Sequence, residues 1–314
     1  MTQAGKHIYV YSPSSAVRDK AAFKRGVARL QKVGHTVEID RAALASHQRF
    51  AGDDATRLAA IARAAASGAD VALISRGGYG LTRLLEGIPY RKVARAIERG
   101  TEFVGLSDFT AFQNALLAKT GAVTWAGPAL GEDFGAEPEV DGIMAACFDD
   151  FVKGQGEGTG WRVPAADRSL LPGRTIQGAR LWGGNLCVLT ALLGTPFFPQ
   201  IDKGVLFFED VNEHPYRVER MLEQWRLAGI LARQRAIVLG QFTGCRKVPQ
   251  DRGFSLGGVV ERLRQKISTP ILTGLPFGHV PTKVMLPVGA PVTLTASEKD
   301  WLVLWGHRHR QGAA

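Results

Sequence analysis

The chain is poor in cysteine: Cys147, Cys187 and Cys245 are the only three in 314 residues, and no two of them form a C-x-x-C spacing. That excludes a disulfide framework and a cysteine-built zinc site, and leaves buried thiols as the reading. No apolar run approaches the ~18 residues of a membrane span. The first residues enter Ile8-Tyr9-Val10-Tyr11 without an apolar leader, so a cytoplasmic protein with no membrane partner is expected. Internal repeats and heptads are absent. So are basic blocks, although 39 Lys and Arg against 29 Asp and Glu give a net charge of +10. The basic residues are spread over stretches such as Arg91-Lys92 and Arg95 to Arg99, with a small terminal cluster at His307-Arg308-His309-Arg310. A dispersed positive field of this kind steers an anionic substrate. Without a recognised module it does not point to a nucleic-acid partner.

What is present is an ordinary globular composition, 45% hydrophobic and 22% charged, in a chain longer than one core usually supports, so two domains are expected. The first half alternates strand-like segments (His7 to Tyr11, Thr36 to Glu38, Val71 to Ser75, Glu102 to Gly105) with helical periodicity (Ala16 to Lys32, Thr56 to Ser67, Leu81 to Gly87, Tyr90 to Arg99). This βαβ rhythm predicts an α/β fold with a parallel sheet, whose ligands bind beyond the C-terminal strand ends. Three turns fall at such ends, Ser12 to Ser15, Arg76 to Gly80 and Leu106 to Asp108, and are expected to converge. Residues 1–155 form the predicted parallel-sheet domain. The Gly-rich stretch followed by Val163-Pro164 makes residues 156–174 a linker. Residues 175–314 read as β-rich, with strands at Ala179 to Leu181, Val205 to Phe208, Ile237 to Leu239, Thr282 to Leu286, Ala290 to Thr295 and Trp301 to Trp305. One clear helix is expected there, at Pro215 to Ala228.

Chemistry is suggested first by Phe103-Val104-Gly105-Leu106-Ser107-Asp108-Phe109-Thr110-Ala111, a strand that ends abruptly in a serine-bearing turn before a helix. A serine held there can be a nucleophile. Ser107 or Asp108 could equally cap the following helix. A nucleophile needs a base and a group to orient the base. Of the seven histidines, His279 lies in an irregular apolar turn after Leu275-Pro276-Phe277-Gly278, positioned for either a core or a catalytic role. Glu209-Asp210 ends the apolar run Val205 to Phe208, where a buried charge requires a partner. Glu209 is the natural orienter for His279. The alternatives are that this acidic pair caps the turn into the next helix, or that Glu209, Asp210, Glu213 and His214 bind a metal, although no second cluster completes a ligand set. The glycine turn at Arg76-Gly77-Gly78-Tyr79-Gly80 offers backbone donors near Gly78 for an oxyanion, with the Asp108 N–H as the second.

Taken in order, six motifs resemble the serine LD-carboxypeptidases, the muramoyltetrapeptide carboxypeptidases of bacterial murein recycling. They are Arg49-Phe50-Ala51-Gly52, Arg76 to Gly80 with Arg83-Leu84-Leu85, Gly105 to Ala111, Leu181-Trp182-Gly183-Gly184-Asn185-Leu186, Leu206 to Leu222 and Gly274 to His279. The resemblance implies a Rossmann-like N-terminal domain carrying the nucleophile Ser107 and a β-rich C-terminal domain carrying Glu209 and His279, with the site in the cleft between them. It implies release of D-alanine from the diaminopimelate–D-alanine bond of a murein tetrapeptide, no metal or cofactor, and a homodimer. It also makes the residue after Ser-Asp, here not glycine, normal for a serine of this kind. Arg76, Asn185 or Arg217 would clamp the D-alanine carboxylate. A microcin-immunity-type peptidase with the same triad is the rival, in which Trp182 would stack on a nucleobase unless it is a core aromatic. A catalytically inactive muropeptide-binding protein is a further alternative.

Overall fold

Short β-branched and apolar runs pair in parallel where each is followed by a helix long enough to cross back. The computed structural model, which describes residues 5–171, 175–245, 248–297 and 299–306, follows that rule through its first half. The terminal cluster His307 to Arg310 and residues 172–174 of the expected linker lie outside the described residues. In chain order the first elements are β1 (His7–Tyr11), α1 (Lys20–Lys32), β2 (Thr36–Ile39), α2 (Asp54–Ala64), β3 (Val71–Ile74), α3 (Tyr90–Glu98), β4 (Glu102–Gly105), α4 (Phe109–Thr120) and β5 (Thr124–Ala126). A π-helical turn (Leu130–Phe134), α5 (Gly142–Lys153) and β6 (Gly158–Arg162) follow. The five strands β1 to β5 are parallel in the order β2-β1-β3-β4-β5, with β1 and β3 at the reversal where such sheets hold their ligands. Helix α1 starts at Lys20, later than its periodicity, because Ala16 is tied to Arg49 and Asp19 caps the helix through the Ala22 N–H. The helix expected over Leu81 to Gly87 is only a 3₁₀ turn at Thr82–Leu84.

The second half runs through β7 (Thr175–Asn185), α6 (Leu186–Thr190), β8 (Val205–Val211), α7 (Pro215–Leu227), β9 (Ala236–Thr243), α8 (Leu256–Arg264) and β10 (Ile271–Leu272). It ends with β11 (Leu286–Val288), β12 (Pro291–Ala296) and β13 (Asp300–Leu304). Its sheet has the order β10-β9-β8-β7-β12-β13-β6, parallel from β10 to β7 and antiparallel from β7 to β6. Besides α7, two further helices occur here. Helix α6 is only five residues long and reads Leu-Cys-Val-Leu-Thr, and α8 opens Leu-Gly-Gly-Val-Val, so neither carries a clear helical period. The strand expected over Thr282 to Leu286 is displaced: β11 begins at Leu286 and pairs antiparallel with β5 of the first sheet. Within the stretch read as a linker, β6 pairs with β13. No described helix is long and apolar enough to cross a membrane.

Helix α4 joins the two halves. Every residue from Phe109 to Leu117 is buried, and the helix belongs to one apolar core that also takes in Trp182, Leu186 and Leu189 of the second half. A helix apolar on all sides is stable only when it is covered on all sides. Two of its polar residues, Thr110 and Asn114, face the end of β7. The Asn185 N–H donates to Thr110 Oγ1 at 3.0 Å, and Asn114 Nδ2 donates to the Gly183 carbonyl at 2.9 Å. Gly184 makes this approach possible, since it has φ +135° and a Cβ there would lie 2.5 Å from Thr110 Oγ1. Gly184→Ala is therefore expected to destabilise the protein by roughly 2–4 kcal/mol. Urea unfolding measures this, and an unchanged midpoint would show that α4 does not rest on this strand end.

Candidate active site

A residue placed between a parallel strand and its crossover helix must reverse the chain within one or two positions, and Ser107 does this with φ +64°. For a residue with a Cβ that region costs on the order of 1–2 kcal/mol, so its neighbours must hold it there. The Thr110 N–H bonds the Ser107 carbonyl and the Ala111 N–H bonds that of Asp108, which starts α4 through the backbone alone. Asp108 sits at the cap position without a side-chain cap bond, so its side chain does not serve the capping role. Ser107 remains partly exposed at the sheet's C-terminal edge.

The Asp108 carboxylate, 1% exposed, turns away from α4 to accept from the Ser14 hydroxyl and from the Leu81 N–H at 2.9 Å. Burial pushes its pKa up, against the bonds from Ser14, Leu81 and Gly80. One carboxylate thus ties together the turns after β1, β3 and β4, and the convergence expected of the three turns has its physical cause here. Next to it the Tyr79 N–H donates to Ser15 Oγ at 3.0 Å, which fixes the glycine turn a second time. Gly78, expected as an oxyanion donor, is exposed and lies against Ser15. The glycine facing the serine is its neighbour Gly77: a Cβ there would lie 2.6 Å from Ser107 Cβ and 2.8 Å from Oγ. The doubled glycine in the sequence signalled the turn, but not which of the two meets the serine.

Across the cleft, two consecutive acids near the end of β8 take separate partners. Glu209 is fully buried, and its Oε2 lies 2.8 Å from His279 Nδ1. Its Oε1 has no hydrogen-bond partner within the structure, so the imidazole is its main compensation for leaving water. Burial lowers the His279 pKa, but the hydrogen bond and charge of Glu209, aided by the charge of Glu132, more than offset this and hold it above the ordinary histidine value. Asp210 takes separate partners: Asn185 Nδ2 at 2.9 Å and the Cys187 N–H at 2.8 Å. Burial raises the Asp210 pKa to about 6. Neither acid caps the turn into α7, whose cap position is His214. Among the described residues no group of three or more His, Cys, Asp and Glu is arranged to hold a metal ion.

His279, Leu106, Glu132 and Lys283 line one cavity, so the residue just before Ser107 and the imidazole share a wall. A second cavity beside it, lined by Arg76 and again by Glu132, continues the cleft toward α1. Arg76 lies 3.5 Å from Glu132 and donates to the Ala16 carbonyl, partly exposed at the cleft. Arg217 is engaged with Glu213 on the surface of α7. Two expected substrate contacts are corrected. Trp182 is completely buried against Phe198 and Trp225, with its indole N–H on Gln234, and cannot present a face to a ligand. Asn185, 4% exposed, uses its oxygen to cap α6 at Val188 and its amide on Asp210. Both belong to a motif that is structural because it ends β7 against α4. The nearby Lys283 was missed by sequence reasoning, since a lone lysine in a loop carries no signal.

Two family descriptions match the chain: LD-carboxypeptidase N-terminal domain over residues 8–127 and LD-carboxypeptidase C-terminal domain over residues 178–294. A probable murein peptide carboxypeptidase of Bacillus subtilis is 30% identical over 95% of this chain and 92% of its own. The crystal structure of muramoyltetrapeptide carboxypeptidase from Oxalobacter formigenes superposes with a TM-score of 0.82 at 36% identity, covering 95% of this chain and 98% of that one. A microcin C7 self-immunity protein of Escherichia coli is 25% identical over 68% of each chain.

The strained serine yields a test that needs no substrate. Glycine adopts φ +64° without penalty, so Ser107→Gly is expected to be more stable than Ser107→Ala by about 1 kcal/mol. Thermal or urea unfolding of the two variants checks this, and equal stability would mean that the turn is relaxed.

Proposed function

The chain belongs to the LD-carboxypeptidase family, and on that footing we propose that it releases the terminal D-alanine of murein tetrapeptides through an acyl-enzyme on Ser107. The observation that carries this reading is the buried Glu209–His279 pair at 2.8 Å, in a cavity shared with the residue before a serine of positive φ. A buried carboxylate whose main partner is an imidazole is suited to stabilise the imidazolium that forms when that ring takes a proton. In the proposed reaction His279 takes the Ser107 proton as Oγ attacks the diaminopimelyl carbonyl, and Glu209 holds the ring and stabilises its cation. The Asp108 N–H and the turn at Gly77 and Gly78 receive the oxyanion. His279 then returns the proton to the departing D-alanine nitrogen, and water, activated by the same imidazole, releases the tripeptide. No step requires a metal or cofactor.

The cleft between residues 1–155 and 175–314, taken as two domains, is where this reading puts the substrate. Arg76 is the cation best placed to receive the D-alanine carboxylate, because it lines the cleft and is held only loosely by Glu132. The reading extends to a homodimer working in cytoplasmic murein recycling, with no nucleic-acid partner. The aminoacyl-nucleotide alternative loses its aromatic platform, since Trp182 is buried. A purely muropeptide-binding role would leave the Glu209–His279 pair without a purpose.

Purified protein is expected to release D-alanine from L-Ala-γ-D-Glu-meso-diaminopimelate-D-Ala and to spare the all-L analogue, with released alanine of either hand quantified by chiral chromatography. Equal release from both would refute the stereochemical assignment, and hydrolysis of only an aminoacyl-sulfamoyl nucleotide would favour the rival. Ser107→Ala should lower kcat by at least about 10³-fold with the fold retained.

A second expectation concerns pH. Because Glu209 raises the His279 pKa, the acidic limb of kcat/KM should lie above the ordinary histidine value of about 6.5. Glu209→Gln should move that limb to lower pH while reducing kcat steeply. A profile left where it was would remove Glu209 from the mechanism.

A further inference from the structure

The loop that carries His279 leaves the second sheet after Leu272 and enters the first at Leu286, and it is tied to both. Toward the second sheet it is held by Glu209 and by the Gln241 N–H on the Phe277 carbonyl at 2.8 Å. Toward the first, Thr282 Oγ1 donates to Asp141 at 2.7 Å, Lys283 Nζ is ion-paired with Asp133, and β11 then pairs with β5. The Lys283–Asp133 pair joins positions 150 residues apart, is 4% and 3% exposed at its two side chains, and lines the His279 cavity. The second oxygen of Asp133 accepts from the Ala129 N–H at 2.7 Å, which anchors the pair to the π-helical turn that follows β5. A buried ion pair adds little stability over an apolar pair of the same size, so its retention beside the imidazole calls for another reason.

We propose that Lys283 and Asp133 are positioning residues for the general base, a charged clip that registers the His279 loop against the nucleophile's sheet and places a cation beside the imidazole. This rests on the triad reading above. The charged groups around the imidazole are Glu209 from β8, Glu132 and Asp133 from the π-helical turn, and Lys283 from its own loop, and Glu137, Glu139 and Asp141 also line the cavity. A base surrounded by carboxylates would stay protonated and idle at neutral pH, and the Lys283 charge opposes that tendency. The clip therefore sets where the loop sits and when the base is free.

The test uses the full chain and the rate at which a fluorophosphonate labels Ser107 as pH is varied, which requires no murein substrate. Asp133→Asn removes a carboxylate from the cavity, so the inflection of the labelling profile should move to lower pH. Lys283→Met should move it to higher pH and slow labelling about tenfold or more, whereas Lys283→Arg should restore both. Should Lys283→Met fail to fold, the downward shift in Asp133→Asn together with a wild-type profile in Lys283→Arg decides the matter. Folded variants whose profiles stay in place, or shift in the same direction, would overturn the proposal. Failure of wild-type Ser107 to react at all would instead refute the triad and leave the clip's structural role standing.

Discussion

Two hydrogen bonds between α4 and the end of β7, from the Asn185 N–H to Thr110 and from Asn114 to the Gly183 carbonyl, hold the helix that follows Ser107 against the second sheet. The serine stands at the start of α4, and β7 pairs with β8 so that Asn185 lies beside Glu209. Through that register, fixing α4 on β7 fixes the distance from the Ser107 turn to the Glu209–His279 pair. The approach is close because Gly184 carries no side chain, and it is rigid because α4 is buried along its first nine residues. The proposed site draws Ser107 from one sheet and Glu209 and His279 from the other, so it depends on such a contact.

Three buried carboxylates then divide the work, and each has a different partner. Asp108 joins the turns at the ends of β1, β3 and β4, Glu209 holds the imidazole, and Asp133 receives Lys283. Each would cost several kcal/mol if left alone in the dry interior, so each defines the position of what it binds. The electrostatics of the cleft also differ from those of the whole molecule. A net charge of +10 suggested a cationic field, yet the His279 cavity is lined by Glu132, Asp133, Glu137, Glu139 and Asp141 against one lysine. Bulk charge governs the encounter with an anionic molecule over a distance of about the Debye length, whereas these acids act on the group already seated.

Much of this was legible in the chain. The strands His7–Tyr11 and Glu102–Gly105 were readable to the residue, because a β-branched run between polar turns has few other solutions. The pairing of Glu209 with His279 followed from a charge at the end of an apolar strand that had to find a partner. Helices α6 and α8 were not legible, since their short or glycine-bearing sequences gain helicity only from the surfaces they cover. Trp182 and Asn185 were misread as ligand contacts, because a motif of aromatic, glycine and amide residues is equally suited to closing a strand against a helix.

By itself the sequence determined the local chemistry: which segments are strands, where the chain must turn, and which charges cannot be left unpaired. Those properties depend on neighbours within a few positions, so they are written in composition and period. Only the tertiary structure decided that Gly77 and not Gly78 faces Ser107, that the Asp108 carboxylate binds three turns, that β11 crosses to β5, and that Lys283 reaches Asp133. Each of these is a contact across tens to hundreds of residues, set by the packing of two sheets about α4, and no local pattern encodes the side on which a buried group will find its partner.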